Sequence, residues 1–311
     1  MTDQTSQLAG AATPLAGRSL WADALRRIRR DRVALVCLGI VCVYTLIAAL
    51  SPIVFRNWDA SYDYSNTNSP PSWKNLLGTD EFGRSVLQKT FLGAKTSMTV
   101  GFLANLIAIP LGLLFGAAAG YFGRWIDDLI VWFYTTLQAI PGIILLIVIK
   151  FAFQGKVLFA GHWFAIDFDG MPGLVLALGV LSWIGTCRLV RAETMKIREL
   201  DYVLAARATG RGDAGILFRH VLPNVFHIAI INFSLGFVGA ISAEVTLSFL
   251  GLGIQNAPSW GRMINAARMD LVVGRWWEVT AATLAAFFII LAWNVFGDRL
   301  RDALDPRLKN V

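Results

Sequence analysis

Apolar runs long enough to cross a bilayer alternate with short polar stretches along almost the whole chain. The first, Val33 to Phe55, carries no charge from end to end. A bilayer core needs roughly 20 such residues in a helix. Five more follow: Met98–Phe122, Leu129–Ile149, Met171–Cys187, Val225–Leu250 and Val279–Gly297. The pattern predicts an all-α integral membrane protein with about six transmembrane helices. A secretory signal has a shorter apolar core and a small-residue cleavage site, so Val33–Phe55 reads as a retained span. Upstream, Ser19–Arg32 is a basic amphipathic stretch with Trp21, Ala24, Leu25 and Ile28 on one face, suited to an anionic lipid surface.

Several runs contain residues that break or mark a helix. Pro110 predicts a kink or local unwinding in the second, and Gln138 and Pro141 fall inside the third. Gly112, Gly116 and Gly120 recur every four residues, a double G-x-x-x-G that lets backbones approach closely. Its partner is a helix of the same bundle or one of a second subunit. Asn232 and Glu244 lie in the fifth run. Glu244 is the one acid deep in an apolar run, which suggests a hydrogen bond between helices, a gate anchor or an ion relay. Gln138, Asn105, Asn232 and Trp183 are candidates for pathway lining or for polar contacts between helices.

One polar stretch, Glu199–Asn224 (ELDYVLAARATGRGDAGILFRHVLPN), separates the fourth and fifth runs. Leu200, Val203, Leu204 and Ala208 share one face at helical spacing. Gly210 and Gly212 are expected to stop that helix, with Gly210 just past its end at positive φ. Asp213 is placed to cap a second helix and Pro223 to end it.

Composition fits the pattern. The 311 residues are 56% hydrophobic and 16% charged, with a mean hydropathy of +0.57, whereas soluble domains run near 25% charged. The net charge of +7 does not point to nucleic acid, because the basic residues cluster beside the spans. With the N-terminus inside, 18 of the 28 Lys and Arg fall in cytoplasmic segments. Cys37, Cys42 and Cys187 have no disulfide or zinc spacing and read as small packing residues. No phosphate-binding G-x-x-x-x-G-K-[ST], H-E-x-x-H or G-x-S-x-G occurs. His162, His220 and His227 lie in separate segments and read as structural.

Ala205-Ala206, three residues, Gly210, nine residues, one position and Val221-Leu222-Pro223 resemble the EAA motif of bacterial ABC-importer permeases. That motif reads E-A-A, three, G, nine, I-x-L-P; Leu204 stands at its Glu and His220 at its Ile. Leu76–Ser97 (LLGTDEFGRSVLQKTFLGAKTS) is similar to a stretch of the oligopeptide/dipeptide/nickel branch of that family, with Ser85 in place of the usual Asp. Asp80 would cap the helix that follows. Leu247–Gly253 and the tail Asp298–Val311, ending a helix at Asp305-Pro306, resemble the same branch.

The resemblance implies a multi-pass subunit of the bacterial inner membrane with both termini cytoplasmic. It would act as half of a translocation pathway, paired with a second permease, two ATP-binding subunits and an extracytoplasmic substrate-binding protein. No cofactor is expected in this chain, since ATP and Mg would sit on the partner ATPases. Coupling would run through Leu200, Val203, Leu204, Ala205, Ala206, Gly210, Leu222 and Pro223, and Gln138, Asn232 and Glu244 would be pathway or gate residues. The segments expected are a cytoplasmic 1–32, a first span 33–55, an extracytoplasmic 56–96, a five-helix core 97–297 with coupling loop 191–224, and a cytoplasmic 298–311. Peptides lead the substrates of that branch, with nickel, sugars and opines beside them. A transporter driven by an ion gradient is the alternative, but it needs charged relays within the spans. A membrane-embedded enzyme would need a catalytic constellation, which the sequence lacks.

The topology predicts that a cysteine placed within 1–17 is protected from an impermeant thiol reagent in intact cells. Labelling there reverses the orientation.

Overall fold

The computed structural model describes residues 20–304, apart from 160 and 163–165, with the side chains of 20–24 excluded. Residues 1–19, the Trp21 and Ala24 side chains and the Asp305-Pro306 helix end therefore lie outside the described residues. Eleven α-helices form the described structure, and its only sheet is the two-residue hairpin β1 (Val157–Leu158) and β2 (Ile166–Asp167). Five helices are long and apolar enough to span a membrane, or six if one bent pair counts as a span.

Helix α1 (Leu20–Arg30) breaks at Asp31, whose carboxylate accepts from the Val33 and Ala34 amides and starts α2 (Arg32–Val54). Such an N-cap satisfies donors that a new helix cannot bond internally. Most of α2 is exposed, with Val36, Leu46 and Ile53 all more than half accessible, as expected of a helix facing hydrocarbon. Cys37 and Val41 are buried against Trp260, Met263 and Ile289.

The centre of the bundle is α3 (Val86–Phe122) against α6 (Met171–Ile197). Gly112, Gly116 and Gly120 all face α6: a Cβ at these positions would lie 2.7 Å from the Trp183 carbonyl oxygen, 2.5 Å from that of Cys187 and 2.6 Å from that of Arg191. Gly179 of α6 returns the contact with the Ile107 side chain. The small-residue stripe thus packs within this chain. Of the kink or local unwinding expected at Pro110, the unwinding does not occur: α3 stays α-helical through it for 37 residues, as neighbouring helices allow a proline within a span.

Three other expectations change. The third run is not one straight span: α4 (Arg124–Gln138) and α5 (Gly142–Ala152) meet at 85°. Pro141 cannot donate to the preceding turn and becomes the N-cap of α5 instead. The fourth run is longer than its uncharged part, since α6 continues to Ile197. Nor does Pro223 end a helix. Asp213–Phe249 is one helix of 37 residues, made of α8 (Asp213–Ile216), a π-turn at Leu217–Val221 and α9 (Leu222–Phe249). The π-turn opens the ladder where the proline ring would press on the carbonyl four residues back.

Asp80 does not cap α3; Ser85 occupies that position. Asp80 is instead fully buried, accepting from the Phe82 and Arg84 amides, the Arg84 side chain and Lys89 Nζ at 3.1 Å. Burial pushes its carboxyl up, but the Lys89 ammonium and the Arg84 bonds outweigh it and hold Asp80 below the usual range. Lys89 also reaches Glu278, 2.6 Å away at the start of α11 (Trp277–Leu304). Between α9 and α11, α10 (Trp260–Ala267) buries Trp260, whose indole donates to the Thr90 carbonyl.

Gly116→Val should lower the thermal midpoint in detergent, since overpacking typically costs about 1–3 kcal/mol. Gly39→Ala, with nothing within 4 Å of its Cβ position, should leave it unchanged or slightly raised. Equal midpoints for both variants would show that the α3–α6 approach is not close.

Candidate functional site

The polar stretch between α6 and α8 forms a short, firmly mounted helix, α7 (Asp201–Ala208). Its side chains do not share one face as expected. Leu200 lies outside the helix as an extended N-cap (φ −77°, ψ 144°) and is 47% exposed. Val203 is completely buried among Tyr121, Val190, Ile197, Ile216 and Val221. Leu204, one helical step further on, points outward and is 43% exposed. Val203 is therefore the anchor of α7, and Leu200, Leu204 and Ala205 are its open surface, with Ala206 half-buried.

Gly210 sits where the sequence places it. Helix α7 ends at Ala208, and Gly210 has φ +78°. The Gly210 amide donates to the Arg207 carbonyl, and the Arg211 amide to that of Ala206. These are the two bonds of a Schellman stop, which favours glycine at the left-handed position. Gly212, not Asp213, is the N-cap of α8, and Asp213 is its first residue. There the carboxylate faces the positive end of the helix and accepts from Tyr121 Oη at 2.8 Å. Leu222 is half-buried and Pro223 exposed, both inside the continuous helix, while Phe218 is 61% exposed.

The candidate pathway residues have separate environments. Glu244 of α9 is fully buried and accepts from Ser97 of α3 and Ser248 of its own helix, each at 2.8 Å. The Ser97 bond joins two spans, as an inter-helix contact requires. Asn232 donates to the Ile228 carbonyl of its own helix, and Asn105 likewise to Gly101. Gln138 is exposed at the α4–α5 elbow, lining a cavity of about 540 Å³ with Ile140, Pro141, Leu145, Leu181 and Ile184. His220 lies 3.3 Å from the Arg211 guanidinium, and His227 Nδ1 lies 2.8 Å from the Asn224 carbonyl.

Two contacts near α7 were not legible as pairs. Arg191 of α6 forks onto Asp127 of α4, with Nη2 to Oδ2 at 2.6 Å. Arg198 donates to the Gly120 carbonyl at the end of α3. The Gly112–Gly116–Gly120 stripe hinted at the helix approach that brings these groups together.

The model of the family described as binding-protein-dependent transport system inner membrane component matches residues 108–310. The chain belongs to that family. Residues 19–74 also match the N-terminal transmembrane domain of oligopeptide transport permease C. Among relatives, the chain is 35% identical to the glutathione transport system permease protein GsiD of Pectobacterium atrosepticum, covering 94% of this chain and 93% of the relative. It is 34% identical to the dipeptide transport system permease protein DppC of Alkalihalophilus pseudofirmus, over 94% and 91%. The DppC of Bacillus subtilis is 35% identical, over 92% and 86%. A solved structure of the MetNI methionine ABC transporter in inward-facing conformations shares the fold, with a TM-score of 0.50 and 15% identity over 70% of this chain and 94% of that one. This permease is thus an all-α transport subunit, and the family supports that reading over a gradient-driven carrier.

Gly210→Val places a β-branched residue at positive φ, at a cost of about 1–3 kcal/mol. No atom lies within 4 Å of its Cβ position, so the effect comes from the backbone alone. Membrane abundance should stay near normal while uptake is lost. Normal uptake would show that this turn does not matter to transport.

Proposed function

We propose that this permease forms half of the translocation pathway of an ATP-driven peptide importer, and that α7 is its contact with a separate ATP-binding subunit. The mounting of α7 carries the reading: Val203 is buried, Gly210 stops the helix in a Schellman turn, and Leu200, Leu204 and Ala205 remain open. A helix that is to receive a push needs a rigid base and an uncovered outer face. The resemblance of Ala205-Ala206, Gly210 and Leu222-Pro223 to the coupling motif supports the same assignment. Two ATP-binding subunits, a second permease and an extracytoplasmic substrate-binding protein complete the importer, with ATP and Mg on the ATPases. The dipeptide and glutathione permeases among its relatives support peptides as the substrate class.

In this arrangement 1–32, 191–224 and 298–311 lie in the cytoplasm and 56–96 outside. The five-helix core spans 97–297, and Gln138 at the α4–α5 elbow lines the pathway. Non-helical backbone at membrane depth is tolerated only against protein or water, which supports an elbow on the inner side of the assembled pair. Glu244 anchors α9 to α3 through Ser97 instead of relaying ions.

In proteoliposomes holding the whole complex, peptide uptake should follow ATP hydrolysis and persist when ionophores collapse proton and sodium gradients. Uptake abolished by the ionophores at constant ATP would overturn the reading. Leu204→Asp, which puts a charge on the open face of α7, should cut co-purification of the ATP-binding subunits by about 10-fold or more, since a buried unpaired charge costs several kcal/mol.

A further inference from the structure

Tyr121 is the penultimate residue of α3 and is 5% exposed. Its ring packs in one cluster with Val203 of α7 and with Ile216, Leu217 and Val221 around the π-turn. Its hydroxyl donates to Asp213 Oδ1 at 2.8 Å, and the Arg207 guanidinium of α7 lies 5.7 Å from the ring centroid. One side chain therefore touches the end of α3, the outward helix α7 and the first residue of α8.

The covalent joint between α7 and α8 offers little bracing. It passes through Gly210 and Gly212, and nothing lies within 4 Å of the Cβ position at either. A push on α7 could be absorbed there by backbone rotation. The contacts of Tyr121 bypass that joint and connect α7 and the start of the α8–α9 helix to α3, which the glycine stripe locks to α6.

We infer that Tyr121 is a positioning residue of the transport cycle: its hydrogen bond to Asp213 ties the start of α8 to α3 while its ring meets Val203 and Arg207 of α7, so that movement of α7 is delivered to the α3–α6 pair. The inference rests on the reading of α7 as the ATPase contact. Packing of Val203 alone would hold α7 in place, but apolar contacts slide, whereas a hydrogen bond to a carboxylate fixes a direction.

Tyr121→Phe removes the hydroxyl and keeps the ring. In the reconstituted complex, membrane abundance and co-purification of the ATP-binding subunits should be unchanged. Uptake per ATP hydrolysed should fall by about 10-fold, the size that one hydrogen bond to a charged acceptor supports. Asp213→Ala should fall equally and the double variant no further, while Asp213→Asn, which keeps an acceptor oxygen, should recover part of the ratio. An unchanged ratio in Tyr121→Phe overturns the inference. So does a parallel loss of abundance, hydrolysis and uptake, which would mark a merely structural role. The Leu204→Asp variant separates the two readings: a normal complex with normal uptake there removes the α7 contact itself, whatever Tyr121 does.

Discussion

The close approach of α3 and α6 is the constraint on which the other helices depend. Three glycines along one side of α3 bring its backbone against the carbonyls of Trp183, Cys187 and Arg191. No residue with a Cβ fits at that separation without moving one of the helices. The approach fixes what happens at its end. Arg191, whose carbonyl sits on Gly120, aims its guanidinium at Asp127 and so sets the start of α4. Arg198, two turns further on, reaches back to the Gly120 carbonyl. From there the chain turns into α7 with Val203 already against Tyr121.

The opposite end of α3 is held by charge instead of by close backbone contact. Lys89 bridges Asp80 and Glu278, and Arg84 stacks 4.1 Å over the Trp58 ring while bonding Asp80. Ion pairs this buried add little net stability, because desolvation offsets most of the attraction. They are specific, however. Removing Lys89 takes away the ion pair of Glu278, and removing Asp80 takes away that of Arg84, so the polar segment before α3 has one low-energy seating against α11. The two ends of α3 thus differ in kind: one is located by shape, the other by a small set of charges.

The number of spans, the all-α class, the Schellman glycine and the polar segment between α6 and α8 were legible because each has a local cause. Apolar length decides insertion, and positive φ selects glycine at Gly210. The failures are equally physical. Pro110 and Pro223 look the same in the sequence, yet α3 stays α-helical through one and a π-turn forms before the other. Which solution is adopted depends on neighbouring helices that a linear pattern does not contain. Helical spacing placed Leu200 with Val203 and Leu204, but Val203 is buried against the bundle while Leu200, the extended N-cap, and Leu204 stay exposed. Asp80 has the composition of a cap; its partner Lys89 is 9 residues away and the second partner of Lys89, Glu278, lies 189 residues further on, and only the fold brings them together.

The departures from regular helix are not scattered over the chain. The Schellman stop at Gly210 and the π-turn at Leu217–Val221 flank α8, and the α4–α5 elbow faces the cavity beside α6. Helix α3, by contrast, is continuous and α6 runs unbroken along it. A continuous helix transmits axial and bending force over its whole length, while a π-turn or a glycine joint concentrates strain in a few dihedrals. Stiff and compliant parts are therefore divided between elements: α3 with α6 forms the frame, and the α7–α9 connection and the elbow hold the joints. Such a division suits a subunit that must change the shape of a pathway without unfolding its own core. The glycine stripe makes the frame possible, and the buried ring and hydroxyl of Tyr121 bring its end into contact with the joint nearest α7.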